Sequence, residues 1–200
     1  RRRDHLYSPL IIDSINVETV NEYAFYAYSS TELSYGSITI NNVNWHNANA
    51  TPTSGYGEFF RYVHIKQLNA YKLHKGVNTS TKSSQYFGNT YLHSVIIDNS
   101  IDSIPDHAFR GSNIYNLEIP DSVTSIGIYS FGVNNSSGFN VNRMSNAITT
   151  LNSYCFQYPV FKTDVEFSKL TFNSSSCISY ATYEGKLDFS ANTSGGATFS

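Results

Sequence analysis

The chain has 200 residues, with 13 Lys and Arg against 15 Asp and Glu, for a formal net charge of −2. Without a basic field to hold phosphates, nucleic acid is a poor partner, and no apolar run approaches the roughly 20 residues of a membrane-spanning helix. Apolar residues at 40% argue for a folded core, while charged residues at 14% leave Asn, Ser, Thr and Tyr to coat the surface, as is common outside the cytoplasm.

The chain opens on Arg1-Arg2-Arg3, read as a frayed terminus or a cut point in a longer chain rather than as a nucleic-acid arm. The segment DHLYSPL then interrupts any apolar stretch a signal peptide would need, so an internal piece of something larger is expected. Eight apolar–x–apolar triplets follow: Leu10–Ile12, Ile38–Ile40, Val63–Ile65, Val95–Ile97, Leu117–Ile119, Phe139–Val141, Val165–Phe167 and Leu187–Phe189. Such alternation predicts short strands with one buried face. Strands repeated once per coil in one direction pair in parallel.

A second pattern follows four of the strands: two apolar residues three apart, a small residue four further on, then Phe. It occurs as Val17, Val20, Ala24, Phe25; as Ile101, Ile104, Ala108, Phe109; as Val123, Ile126, Ser130, Phe131; and as Ile148, Leu151, Cys155, Phe156. The small slot predicts close backbone packing between coils, and the Phe fills the coil interior. VIIDNSIDSIPDHAF and LEIPDSVTSIGIYSF superpose their apolar positions at an offset of 22, from Val95 to Leu117. A fixed period of this size means a solenoid, each unit burying its apolar side on its neighbours. Pro105 and Pro120 end or edge strands, because proline cannot donate to a ladder.

The expected fold is mainly β, a solenoid of about seven to eight irregular coils with a parallel sheet along one face. One domain covers residues 1–190, and 191–200 is a frayed end or linker. Insertions are expected at about 41–61, 73–89 and 132–138, with Glu58-Phe59-Phe60 and Gln85-Tyr86-Phe87 as remnants of the small–Phe pair. Cys155 and Cys177 lie 22 residues apart. Equivalent positions on adjacent coils are about 4.8 Å apart, within reach of a disulfide. The small slot favours the other reading, a free thiol acting as a small buried hydrophobe.

IPDSVTSIGIYSF and IDSIPDHAF resemble the BspA-type leucine-rich repeat, whose unit reads close to L-x-x-I-x-I-P-x-x-V-x-x-I-G-x-x-A-F. Leu117-Glu118-Ile119-Pro120, Val123, Ile126-Gly127 and Phe131 match it directly, Ser130 stands for the usual Ala and Pro105 for the usual Gly. The resemblance implies a curved leucine-rich-repeat solenoid within cell-surface or secreted proteins, associated with adhesion to host proteins or other cells. The insertions depart from that pattern.

No phosphate-binding Gly loop, Gly-x-Ser-x-Gly elbow or His-Glu-x-x-His helix occurs, and the six histidines lack metal-ligand spacing. No cofactor is expected, and the chain is read as a non-enzyme. The middle triplet residues predict an outward row of Ile11, Thr39, His64, Ile96, Glu118, Asn140, Glu166 and Asp188. Its acidic part is either a strip for a basic ligand or a solvated face. Glu118 and Glu166 could pair for glycoside hydrolysis, but a flat exposed face lacks the cleft that would shift a carboxyl pKa.

The stronger candidate is the aromatic insertion, with Trp45, Tyr56, Phe59, Phe60 and Tyr62 among Asn, Ser, Gly and Thr, and His64 beyond it. Loops of this composition resemble paratopes and suit sugars. The alternative is that Phe59, Phe60 and Tyr62 are core of an irregular coil. The first functional expectation is therefore a non-enzymatic recognition or adhesion module on a cell surface or host matrix, binding protein or glycan. The second is a structural spacer or assembly domain of a larger surface protein or phage appendage.

Overall fold

The computed structural model describes residues 9–18, 25–26, 38–47, 59–74, 77–79, 82–84, 86–132, 138–167, 170–172 and 176–188. Among them every regular element is a strand. One sheet of eight strands contains Leu10–Val17, Ile38–Trp45, His64–Ala70, Tyr91–Ile97, Asn113–Glu118, Phe139–Arg143, Pro159–Phe161 and Thr182–Tyr183, in chain order. Every neighbouring pair is parallel. Chain order plus parallel pairing requires the chain to leave the sheet and return once per strand, which is a solenoid. A second parallel sheet runs behind it: Ser103–Ile104, Ser125–Ile126, Thr150–Leu151 and Thr171–Phe172.

Three of the long strands bury three positions each, with spacing apolar–x–x–apolar–x–apolar. Ile65, Leu68 and Ala70 are fully buried while Lys66 and Gln67 both face outward. Leu92, Val95 and Ile97 repeat this, as do Ile40, Val43 and Trp45. This spacing corrects the register predicted for the early triplets. Val95–Ile97 corresponds to Leu68–Ala70, Val43–Trp45 and Ile15–Val17, not to Val63–Ile65, Ile38–Ile40 and Leu10–Ile12. A strand with three buried positions offers two overlapping apolar readings, and in the first three coils the earlier one was chosen. Val17 accordingly ends a long strand opposite Trp45 and opens no second half-unit.

The later coils shift as well. Leu117 pairs with Val141, and a bulge then sets Glu118 against Arg143. Phe139 pairs with Pro159 rather than Val165. Val165 does pair with Leu187, as the 22-residue interval predicts, but in a separate two-stranded sheet.

The second half-units hold their predicted register. Ile104, Ile126 and Leu151 are aligned and fully buried. The interior Phe forms a stack, Phe60–Phe87–Phe109–Phe131–Phe156, with centroid separations of 6.0, 5.4, 5.4 and 5.2 Å. Phe25 and Phe60 are Cα partners, so the first of the four predicted Phe positions lies on the same line. Each buried aromatic pair contributes about 0.5–1.5 kcal/mol beyond the area it buries.

Ala108, Ser130, Cys155 and Cys177 fill the small slot and are buried. The polar members satisfy their donors on backbone. Ser130 Oγ lies 2.8 Å from the carbonyls of Pro105 and Gly127. Cys155 Sγ donates to Cys177 O and Cys177 Sγ to Leu151 O, each at 3.1 Å. Cys155 and Cys177 are not joined by a disulfide, and burial pushes the Cys155 thiol pKa well up.

Asn41–Trp45 belongs to a strand, so the first insertion begins after it and residues 48–58 lie outside the described residues. The second carries an antiparallel hairpin, Val77–Thr79 with Lys82–Ser84. Of the third, 133–137 lie outside the described residues, as do 189–200.

Phe109→Ala should lower the unfolding free energy by about 3–5 kcal/mol through a cavity in the stack. A Cβ at Gly127 would meet the Pro105–Asp106 backbone and lie 2.6 Å from Asp106 Oδ1, so Gly127→Ala should cost about 1–3 kcal/mol by overpacking. Urea titration measures both. Cys155 should resist alkylation in the folded chain and react once urea unfolds it, read as a mass increment on its peptide.

The outward sheet face as the candidate functional site

Trp45 has no exposed surface, Phe60 none and Phe59 only 8%. The Trp45 ring packs against Phe59, Phe60, Tyr86 and Phe87 with centroids 5.5, 6.1, 5.0 and 4.9 Å away. The predicted aromatic recognition loop is therefore corrected for these three residues: they are core. The strand register explains this. Trp45 stands between Val17 and Ala70 at an inward position, and the small Ala70 leaves room for the indole. Tyr62 is half-buried at φ 58, with the Arg61 guanidinium 5.1 Å over its ring. Tyr56 lies outside the described residues.

The predicted outward row divides in four, with Asn140 on a line of its own between Asn116 and Val160. Ile11, Thr39 and His64 share one line, which continues through Tyr91 to Asn113. Asn16, Asn44, Asn69, Ile96 and Glu118 share a second, ending at Arg143. Glu166 and Asp188 are partners in the separate small sheet. Glu118 and Glu166 thus stand on different sheets, and the carboxylate pair needed for hydrolysis is not formed. Around Glu166, Lys186 Nζ donates to Asp188 at 2.8 Å, and the Lys186 backbone N–H donates to Asp164 at 2.7 Å.

Two features of this face were missed in the sequence. The first is an amide ladder. Asn44 Nδ2 donates to Asn16 Oδ1 at 2.8 Å, Asn69 Nδ2 to Asn44 Oδ1 at 2.9 Å, and Gln67 Nε2 to Asn69 Oδ1 at 2.9 Å. An amide has two N–H groups and two lone pairs, so Asn44 keeps one of each for another partner.

The second feature is a set of His–Tyr pairs between adjacent coils. His64 meets Tyr91 edge-to-face at 4.7 Å, and His93 stacks on Tyr115 at 5.2 Å. His46–Tyr71 and His107–Tyr129 repeat the pairing at 4.4 and 5.7 Å. The signal was present in the sequence: each Tyr follows its His by one coil length.

A third aromatic row, His107–Tyr129–Tyr154, stacks face to face at 5.7 and 4.9 Å. Those faces cover each other, and Arg110 lies 4.5 Å over Tyr129. The row therefore presents edges rather than open faces.

His64 has a buried Nε2 with no hydrogen-bond partner among the described residues. Burial lowers its pKa first, and His93 and Lys66 lower it further. The unfolded chain then binds this proton more readily than the folded one. Stability contributed by His64 is intact above its unfolded pKa, about 6.5, and falls as the pH drops below that value toward the folded pKa. Thermal unfolding followed from neutral pH down to about pH 5 should show this loss, and His64→Gln should reduce the slope.

No curated protein and no solved structure matches this chain. The family model for the BspA type leucine rich repeat region matches in six copies across residues 59–194. The interval takes in the last six of the eight parallel strands, from His64–Ala70 onward. The stacked coils, the small–Phe slot and this match together show that the chain belongs to the BspA-type leucine-rich-repeat family.

Proposed function

We propose that this chain is a non-enzymatic recognition module that binds a protein or glycan through the outward face of its eight-stranded sheet, in an extracellular or cell-surface setting. The observation that carries the reading is the amide ladder. Asn16, Asn44 and Asn69 are held in register by their own hydrogen bonds while each retains capacity for a ligand. Side chains fixed before binding lose little entropy on binding, which favours affinity on a flat surface. Tyr115 adds a large ring, 49% exposed, to the same face. Family membership supports the setting, since proteins carrying this repeat are typically surface or secreted.

This reading replaces the buried Trp45, Phe59 and Phe60 with outward residues as the binding determinants. An array of glycans and matrix proteins tests it. The triple variant Asn44→Ala, Asn69→Ala, Tyr115→Ala should lose at least about tenfold in affinity for any ligand found, with melting retained within a few degrees. A folded triple variant that binds as well as the wild type would overturn the assignment of this face. A chain that binds nothing on the array would favour the spacer role.

A further inference from the structure

We propose that His64, Lys66, Tyr91, His93 and Tyr115 form a binding patch for a uronate-bearing glycan, and that binding tightens as the pH falls. The proposal rests on the recognition reading above and gives it a ligand class. Three adjacent strands place the five residues: His64–Ala70, Tyr91–Ile97 and Asn113–Glu118. His64 is the Cα partner of Tyr91, and the flanking pairs Ile65–Leu92 and Gln67–Ser94 set Lys66 beside His93. Ile114–Leu92 and Asn116–Ser94 set Tyr115 on the other side of His93. Rings and cationic groups therefore alternate across about 10 Å, two strand spacings.

The charge of this patch is uncompensated. Lys66 forms no ion pair among the described residues. Among the described residues, His93 and Lys66 are the charged neighbours that hold the His64 pKa down. The strand Ile38–Trp45 beside it presents Thr39 and Asn41, which carry no charge. The nearest outward carboxylates on the sheet lie beyond. Asp13, on Leu10–Val17, accepts from Asn41 Nδ2 at 3.2 Å, and Glu118 stands in register with Arg143. Protonating both imidazoles beside Lys66 would gather three cations with no counter-charge. An anion relieves that repulsion, so ligand binding and proton uptake favour each other.

The aromatic and neutral groups select a sugar. His93 covers one face of Tyr115. On the other side the register reaches Phe139, which turns into the core at 3% exposure, so among the described residues no ring closes the second face. An open tyrosine face suits the C–H face of a pyranose. Around it Thr39, Asn41, Gln67, Ser94, Asn113 and Asn116 offer donors and acceptors in mixture, as sugar hydroxyls require. The Lys66 ammonium and the exposed His93 imidazole supply charge-assisted donors to a carboxylate, while His64, its Nε2 buried, adds its charge beside them.

Calorimetric titration with polygalacturonate oligomers at about pH 5 and about pH 7.5 tests this, with the methyl-esterified oligomers and poly-glutamate as controls. We expect polygalacturonate to bind at least about tenfold more tightly at the lower pH, and each control to bind more weakly. His64→Gln with His93→Gln should flatten the pH dependence, and Tyr115→Ala should weaken binding at both pH values. If the double variant does not fold, His93→Gln alone should reduce the pH dependence, and Lys66→Gln should weaken binding at both pH values. Equal affinity for acid and ester, or a pH dependence that survives in folded variants, overturns the proposal. Poly-glutamate binding as tightly would assign the patch to an acidic protein and overturn the glycan class. Failure of polygalacturonate to bind, alongside an array ligand lost in the Asn44, Asn69, Tyr115 variant, would sink this inference and leave the recognition reading standing.

Discussion

The stack of phenylalanines through the coil interior is the constraint on which the rest depends. Five rings, from Phe60 to Phe156, lie within 5.2 to 6.0 Å of their neighbours. A single coil has no way to bury such a ring, because its partners belong to the coils before and after. Once the rings align, the short strands beside them fall into register, as Ile104, Ile126 and Leu151 do. The small slot next to each ring follows from the same geometry. Gly127 packs against the Pro105–Asp106 backbone where a side chain would collide. Segments outside this frame are free to lengthen, so coil lengths vary while the interior keeps its order.

That division explains what could be read from the sequence. The two central units were legible because interior and strand repeat at one shared interval, from Val95 to Leu117 and from Phe109 to Phe131. Elsewhere the interval changes from coil to coil. Between Leu68 and Val95 the strand register advances by a different number of residues than between Val95 and Leu117, and a local apolar alternation has no memory of its neighbour's phase. Hence Val63–Ile65 was matched where Leu68–Ala70 belongs. Trp45 was misplaced for the same reason. With the strand ended too early, an indole in its last inward position looked like part of a polar loop. The outward face was less legible still. An asparagine in one coil signals nothing until the register shows another asparagine beside it.

The outward face also shows how a parallel sheet stays soluble with few charges. Asn16, Asn44 and Asn69 satisfy one another along the stack, where three carboxylates in the same row would repel. Charges appear where compensation is available, as with Arg143 and Asp121 at 3.0 Å. The cluster of His64, Lys66 and His93 is the departure from this rule.

The coil corners make the same point about local and non-local causes. His107, Tyr129 and Tyr154 adopt φ of 58, 51 and 54, a region that bulky side chains rarely enter. Such a conformation costs of order 1–3 kcal/mol at each residue. Nothing in the residues themselves calls for it. The neighbouring coils do: the N–H of Tyr129 reaches Ser153 O at 3.1 Å and that of Tyr154 reaches Ser176 O at 2.9 Å. Ring stacking along the row returns about 0.5–1.5 kcal/mol per pair, comparable with the strain it accompanies. A corner of this kind is stable only when the next coil is already in place. The solenoid's corners are therefore set by its stacking, as its strands and its core are, and a single unit read alone would not contain them.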